Sequence, residues 1–261
     1  MTRPPLTVAV AQPVCVPRDV AANADAHAAA VLAAGTRLVV FPELSLTGYE
    51  LDAPPIDAGD GRLAPIAEAC AATGAMALAG APVLGDEGLA HIAMLAIDGE
   101  GTSVAYRKVH VADSESAWFG PGPHPVVLET GGWRLGLAIC RDTGIARHTA
   151  DLAGLGIDAW VAGTVMFPDE TAAQDERARR VATEHDVWAL VASFAGPTGG
   201  GYERTAGHSG IWAPGGTLAA QAGPEPGAIV SATLTGYAAL SIRPAPVRVG
   251  ADRMDRQEGP P

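Results

Sequence analysis

Short apolar runs recur along this chain, separated by stretches whose apolar residues return every third or fourth position. "LTVAVAQP" (6–13) is apolar until it stops at a proline, which predicts a buried first strand. In "DVAANADAHAAAVLAA" (19–34), Asp19 precedes an alanine-rich segment that ends at Gly35, the pattern of a capped helix. "TRLVVFPE" (36–43) predicts a second strand, 62–73 a second helix and "AMALAGAPV" (75–83) a third strand. Two hairpins follow, "LAHIAMLAID" with "TSVAYRKVH" (89–110) and "HPVVLET" with "WRLGLAIC" (124–140), the second turning at Gly131–Gly132. Beyond Cys140 the order repeats: a helix over about 144–154, a strand at 158–163, a helix at 169–186 and a strand at 187–194. A glycine-rich loop (196–207) leads to a hairpin at 208–220 and a last strand at 227–234. Strands and helices mix without a break in composition, so residues 1–235 read as one α/β domain. Residues 236–261 read as a C-terminal arm or partly disordered extension, its Arg243, Arg248, Arg253 and Arg256 interleaved with Asp252, Asp255 and Glu258.

Composition narrows the function. The 261 residues carry a net charge of −12, which argues against nucleic acid as a partner. No apolar run is long enough for a membrane span, and the N-terminal run reads as a strand rather than a signal peptide. Cys15, Cys70 and Cys140 are few and far apart, without a C-x-x-C pair, so a structural zinc site or a disulfide framework is not expected. A cytoplasmic location fits that thiol usage. "GLGIDA" (154–159) fits a dinucleotide fingerprint only in letters, because it follows a helix and precedes a strand; it reads as a helix end.

Three candidate residues stand at the ends of strand-like runs. Glu43 closes "VVFPE", either as a solvated loop charge or as a working acid at a strand's carboxyl end. Lys108 and His110 lie two apart in "YRKVH", on one face if the strand continues, with a surface edge as the bland alternative. Cys140 ends "LGLAIC" before Arg141 and Asp142; it is either buried filler or a nucleophile whose thiolate is favoured by the following helix N-terminus. Together, a carboxylate, an ammonium and a thiol supply what amide or nitrile hydrolysis needs: a proton acceptor, an oxyanion partner and a nucleophile.

These motifs, in this order, resemble the carbon–nitrogen hydrolase (nitrilase) superfamily. "VVFPELSLTGY" is similar to its first motif, "YRKVH" to its second and "GLAICRD" to its third; "ESAWFGPG" (115–122) and "AGHSGIWAPGG" (206–216) match further segments. The resemblance implies a four-layer α-β-β-α sandwich in a single domain. It implies Glu43 as general base, Lys108 as oxyanion stabiliser, Cys140 as nucleophile, the Arg141 backbone N–H as second oxyanion donor and Glu115 as a second glutamate orienting the lysine. It also implies a homodimer or higher homo-oligomer, with no metal or organic cofactor. His110 reads as structural. Tyr49, Trp118, Thr164 and Met166, which flank the motif ends, are the candidate substrate-binding residues, with core packing as the alternative. Gly199–Gly201 reads as either a mobile edge or a tight loop.

The sequence departs from the family pattern beside the cysteine, where Arg141 replaces a common aromatic residue. Ile145, Ala146, Arg147 and Ala150 stand where many members have Phe-Pro-Glu and a later Arg, and Glu184-His185 stands in place of a Glu-Asn pair. Arg141 either selects a carboxylate on the substrate or is pinned to Asp142 or an outer carboxylate. The expected activity is hydrolysis of a small linear amide through a thioester. N-carbamoyl amine or nitrile hydrolysis, acyl transfer from the same thioester, and a non-catalytic binding protein on this fold are the alternatives. A papain-like Cys–His enzyme is set aside for want of its local motif.

Overall fold

The computed structural model describes residues 3–85 and 88–236. Its strands are β1 (Leu6–Gln12), β2 (Leu38–Val40), β3 (Met76–Leu84), β4 (Ala90–Asp98), β5 (Gly101–Arg107), β6 (Val127–Thr130), β7 (Trp133–Ile139), β8 (Ala159–Thr164), β9 (Trp188–Ser193), β10 (Gly210–Trp212), β11 (Leu218–Gln221) and β12 (Ala228–Leu234). Its helices are α1 (Val20–Ala34), α2 (Ala64–Thr73), α3 (Ala146–Gly154) and α4 (Thr171–Glu184). Apart from Gly236, the expected C-terminal extension lies outside the described residues. Among those described, no helix is long and apolar enough to cross a membrane.

The strands form two six-stranded sheets, in the orders β12-β1-β2-β3-β4-β5 and β11-β10-β9-β8-β7-β6. Central strands are parallel (β1-β2-β3 and β7-β8-β9) and the outer ones antiparallel. Strand alternation explains the layering. In β1, Val8 and Val10 face the second sheet, while Ala9 and Ala11 face helices α1 and α2. In β8, Ala159 and Val161 face inward, while Trp160 and Ala162 pack with Leu152 of α3 and Val181 of α4. Both faces of each sheet are therefore buried, which is why the strands read as continuous apolar runs. The result is the expected four-layer α-β-β-α sandwich.

Two local differences from the sequence reading matter for function. The second strand is only Leu38–Val40; after Phe41, Pro42 has no N–H to continue the ladder, and 42–47 fold into consecutive turns (Ser45 N–H to Pro42 O, Thr47 N–H to Leu44 O). The helix expected from 144 is preceded by a 3₁₀ turn, Cys140–Gly144, that begins on the cysteine itself.

The turn carrying Glu43 is clamped between the sheets. A Cβ on Gly80 of β3 would lie 2.3 Å from the Pro42 carbonyl and 2.4 Å from the Leu44 nitrogen. A Cβ on Gly163 of β8 would lie 2.9 Å from the Phe41 carbonyl. Backbone passes where no side chain fits, one glycine from each sheet. We therefore expect Gly80→Ala to cost about 1–3 kcal/mol of stability by urea denaturation, through overpacking against rigid backbone. Gly154→Ala, whose Cβ would meet nothing within 4 Å, serves as the control and should stay within about 0.5 kcal/mol of wild type.

Candidate active site

Glu43 sits on the turn after β2, and that turn is tied to α1 by buried polar groups. Asn23 of α1 donates from Nδ2 to the Leu46 carbonyl, and the His27 ring meets Ser45 Oγ through Nε2 at 2.8 Å. These contacts leave the Glu43 side chain 1% exposed. Lys108 is the first residue beyond β5, fully buried, its N–H donating to the Ile92 carbonyl. It is not on a strand, so the shared face with His110 does not exist: Lys108 turns inward and His110 is partly exposed. Burial also removes the reading of Lys108 as a surface edge.

The lysine draws two glutamates together. Its Nζ donates to Glu43 Oε1 at 2.7 Å and to both carboxylate oxygens of Glu115 at 2.7 and 2.8 Å. All three ammonium protons are thereby engaged. Glu115 also accepts from the Ala112 N–H at 2.7 Å and from the Tyr49 hydroxyl at 2.5 Å. Glu43 Oε2 has no such partner among the described residues.

Cys140 completes the cluster. It is the first residue after β7, with φ at +43°, a left-handed conformation that costs a non-glycine residue about 1–3 kcal/mol and marks functional turns. Its Sγ lies 3.4 Å from the Val165 carbonyl and is close enough to Glu43 to lower that carboxyl's pKa by hydrogen bonding. The turn is held by Asp142, a residue the sequence reading did not single out. Asp142 accepts from the Ile139 N–H, the Tyr106 hydroxyl, the His110 N–H and the His110 ring. His148 in turn bonds the Tyr106 hydroxyl at 2.9 Å. The cysteine turn and the segment after Lys108 are thus laced to one buried carboxylate. A charged residue three positions past a buried strand's last residue was the available signal.

The electrostatics follow from one cation facing three acidic groups. Burial, opposed by Lys108 and reinforced by Glu115, pushes the Glu43 carboxyl up to about 7. Burial alone would lower the Lys108 pKa, but Glu43, Cys140 and Glu115 together outweigh it and hold the ammonium protonated. Burial and the Glu43 charge raise the Cys140 thiol above its usual value, Lys108 opposing them only in part. The helix N-terminus considered as a source of thiolate stabilisation is absent here, because the turn after the cysteine is a short 3₁₀ segment, and the surrounding charge is net negative.

The sequence model of the carbon-nitrogen hydrolase family matches residues 7–241. The chain belongs to that family. A curated relative, the hydrolase in the pqqF 5' region of Pseudomonas protegens, is 32% identical over 86% of this chain and 82% of its own length. An (R)-stereoselective amidase from a Pseudomonas species is 32% identical over 51% of this chain and 49% of its own. Among solved structures, an amidase of the nitrilase superfamily from Nesterenkonia AN1 aligns with a TM-score of 0.78 at 26% identity, covering 88% of this chain and 90% of that one. Nit3 of Saccharomyces cerevisiae, from branch 10 of the superfamily, shares the fold with a TM-score of 0.79 at 22% identity, over 88% of this chain and 90% of its own. The protein is a carbon–nitrogen hydrolase of the amidase-like kind.

In this hydrolase the flanking candidates separate. Tyr49 reaches the cluster through Glu115. Met166 is buried beside Val165, its carbonyl held by the Ala206 N–H. The Thr164 hydroxyl donates to Gln174 of α4, on the helix side of its sheet, so its side chain is committed away from the inner face. Trp118 is 49% exposed, while its neighbour Phe119 is buried. Tyr202, absent from the sequence reading, stands edge-on to Tyr49 at 5.3 Å and stacks on Phe167 at 4.2 Å. Burial and the nearby Cys140 and Glu43 raise its pKa, which places its hydroxyl within their field. The Gly199–Gly201 run is a tight loop: a Cβ on Gly200 would lie 2.6 Å from the Tyr49 ring.

Removing the shared cation tests this electrostatic account. Lys108→Met should destabilise the fold by about 3–5 kcal/mol near pH 8, because two buried carboxylates lose their counter-ion. Those carboxyls would then have folded-state pKa values above their unfolded ones. The penalty should therefore be largest at high pH and shrink toward about pH 5 as they protonate, read as the wild-type-minus-variant difference in urea. An equal penalty at both pH values would contradict it.

Proposed function

We propose that this hydrolase is a cysteine-dependent amidase that cleaves a small linear amide through a thioester on Cys140. The observation that carries the reading is the buried meeting of Cys140, Glu43 and Lys108, with Glu43 poised near neutrality. A group that must take a proton in one step and return it in the next works best with a pKa near the working pH. The Nesterenkonia amidase gives outside support: in two structures of one variant its active-site cysteine carries acrylamide and the acetamide moiety of fluoroacetamide.

The steps balance as follows. The Cys140 thiol gives its proton to Glu43 Oε2, the oxygen without another partner, as sulfur adds to the amide carbon. The oxyanion that forms is stabilised by the Lys108 ammonium and the Arg141 backbone N–H. Lys108 frees a proton for it most readily from its paired bonds to Glu115, since that carboxylate keeps Ala112 and Tyr49 as donors. Glu43 protonates the departing nitrogen, ammonia leaves, and the thioester remains. Water, deprotonated by Glu43, adds to it; the carboxylic acid departs and the thiol is restored.

Ammonia release from short amides tests the reading. Cys140→Ala should abolish release, and Glu43→Gln should lower kcat by about 10²–10⁴ while unfolding like wild type. Near-normal turnover in either variant would overturn it. The reading also fixes a pH profile. Since the base must be ionised, kcat/KM should rise with pH through an apparent pKa of about 7 and then level. No alkaline fall from thiol ionisation belongs in the ordinary range, because the Cys140 pKa is raised.

A further inference from the structure

The cluster has a groove beside it that the proposed chemistry does not use. It is an open cleft of about 610 Å³, within the size range of small-molecule sites. Its walls include Val109, Ser116 and Arg141, the residues immediately after Lys108, Glu115 and Cys140. Adjacent Cα atoms are about 3.8 Å apart, so the groove opens within one residue of three cluster members. Phe119, Ile145 and His110 complete a largely apolar lining.

Its charge is unlike the rest of the molecule. The chain has 29 acidic against 17 basic residues, yet among the described residues no Asp or Glu lines this groove. Among them Arg141 is its one permanent cation. That side chain is exposed and has no ion-pair or hydrogen-bond partner among the described residues. The adjacent acid that could have pinned it, Asp142, is fully buried and taken up by Ile139, Tyr106 and His110. Ser116 gives its hydroxyl proton to the Asp113 carbonyl. The His110 ring meets Asp142 through Nδ1 and leaves its other edge to the groove.

We infer that Arg141 is a specificity residue that receives a carboxylate carried by the substrate, so that the hydrolase acts on small amides bearing an acid group. A guanidinium binds a carboxylate through two parallel N–H bonds, which fixes direction as well as charge. The apolar walls suit the methylene chain between acid and amide. This rests on the hydrolytic reading above for the reaction, but the groove's recognition of an anion stands apart from it. The carboxylate lies on the acyl side in a half-amide of a dicarboxylic acid, or on the amine side in an N-acyl amino acid.

Matched substrates separate these cases. Wild type, Arg141→Met and Arg141→Lys are assayed on a half-amide and the diamide of equal length, and on an N-acyl amino acid and the corresponding N-acyl amine. The quantity read is the ratio of kcat/KM for acid-bearing over neutral substrate, which cancels any general loss of activity. Wild type should favour one acid-bearing member, and the pair that shows the preference identifies the side. That ratio should fall about tenfold to a hundredfold in Arg141→Met, mainly through KM, with partial retention in Arg141→Lys. A wild-type ratio near one, or a ratio unchanged by Arg141→Met, would overturn the inference and leave the amidase reading intact. If none is hydrolysed, calorimetric binding to Cys140→Ala decides. Tighter binding of the acid-bearing ligand, lost on adding Arg141→Met, upholds the groove while the amidase reading falls. Equal or absent binding overturns the groove as well.

Discussion

A single buried ammonium group, shared by two buried carboxylates, is the constraint around which this molecule is arranged. Lys108, Glu43 and Glu115 are each 1% exposed or less, so every charge depends on the others. A buried ion without its partner costs several kcal/mol, and the three must therefore arrive together as the chain folds. They come from three separate places: the turn after β2, the end of β5 and the loop beyond it. The cluster carries one more negative than positive charge, and burial together with that excess raises the Cys140 thiol pKa. In the proposed mechanism the first proton transfer, from Cys140 to Glu43, leaves the buried net charge unchanged. The nucleophile is made without creating a new unpaired ion in a low-dielectric site.

Holding that cluster explains features that otherwise look like defects in the sandwich. Glycines interrupt central strands of both sheets at Gly80 and Gly163, where they weaken packing, and the backbone of Phe41 to Leu44 occupies the space. Helix α1 buries Asn23 and His27, polar residues on an apolar face, and both reach the Glu43 turn. Asp142 is buried in a turn, yet it joins the nucleophile's turn to the segment that follows the lysine. These local breaks in strand and helix rules fall at contacts with the site, as expected where function overrides regularity.

How much of this was legible in the sequence follows from the kind of signal each part leaves. The strands were readable because both sheet faces are buried and their runs are continuously apolar. Helix α1 was bounded by Asp19, whose side chain accepts from the Ala22 N–H. Glu43, Lys108 and Cys140 were readable because each closes such a run, in an order the family shares. Geometry across the fold leaves no such trace. Tyr202 lies far along the chain from Tyr49 and meets it only because the glycine loop folds back. The Tyr106–Asp142–His148 network joins residues whose spacing in sequence signals nothing. The local errors have physical causes: strand periods were extended past Val40 and past Arg107, where the strands stop, and a helix was begun at 144, where a 3₁₀ turn from the cysteine comes first.

The residue after the nucleophile shows how one position can serve two ends. In the proposed mechanism the Arg141 N–H points at the oxyanion, a demand that any non-proline residue meets through its backbone. The side chain is then free of the chemistry, and it projects where the groove begins. An aromatic residue there would extend an apolar wall; an arginine gives that wall a fixed charge. The surrounding protein supports such a charge without neutralising it. The nearest acid in sequence, Asp142, is consumed in holding the turn, so it does not neutralise the guanidinium. On the proposed reading, reaction and selection are divided between backbone and side chain of one residue, and selectivity would change without disturbing the buried ion cluster.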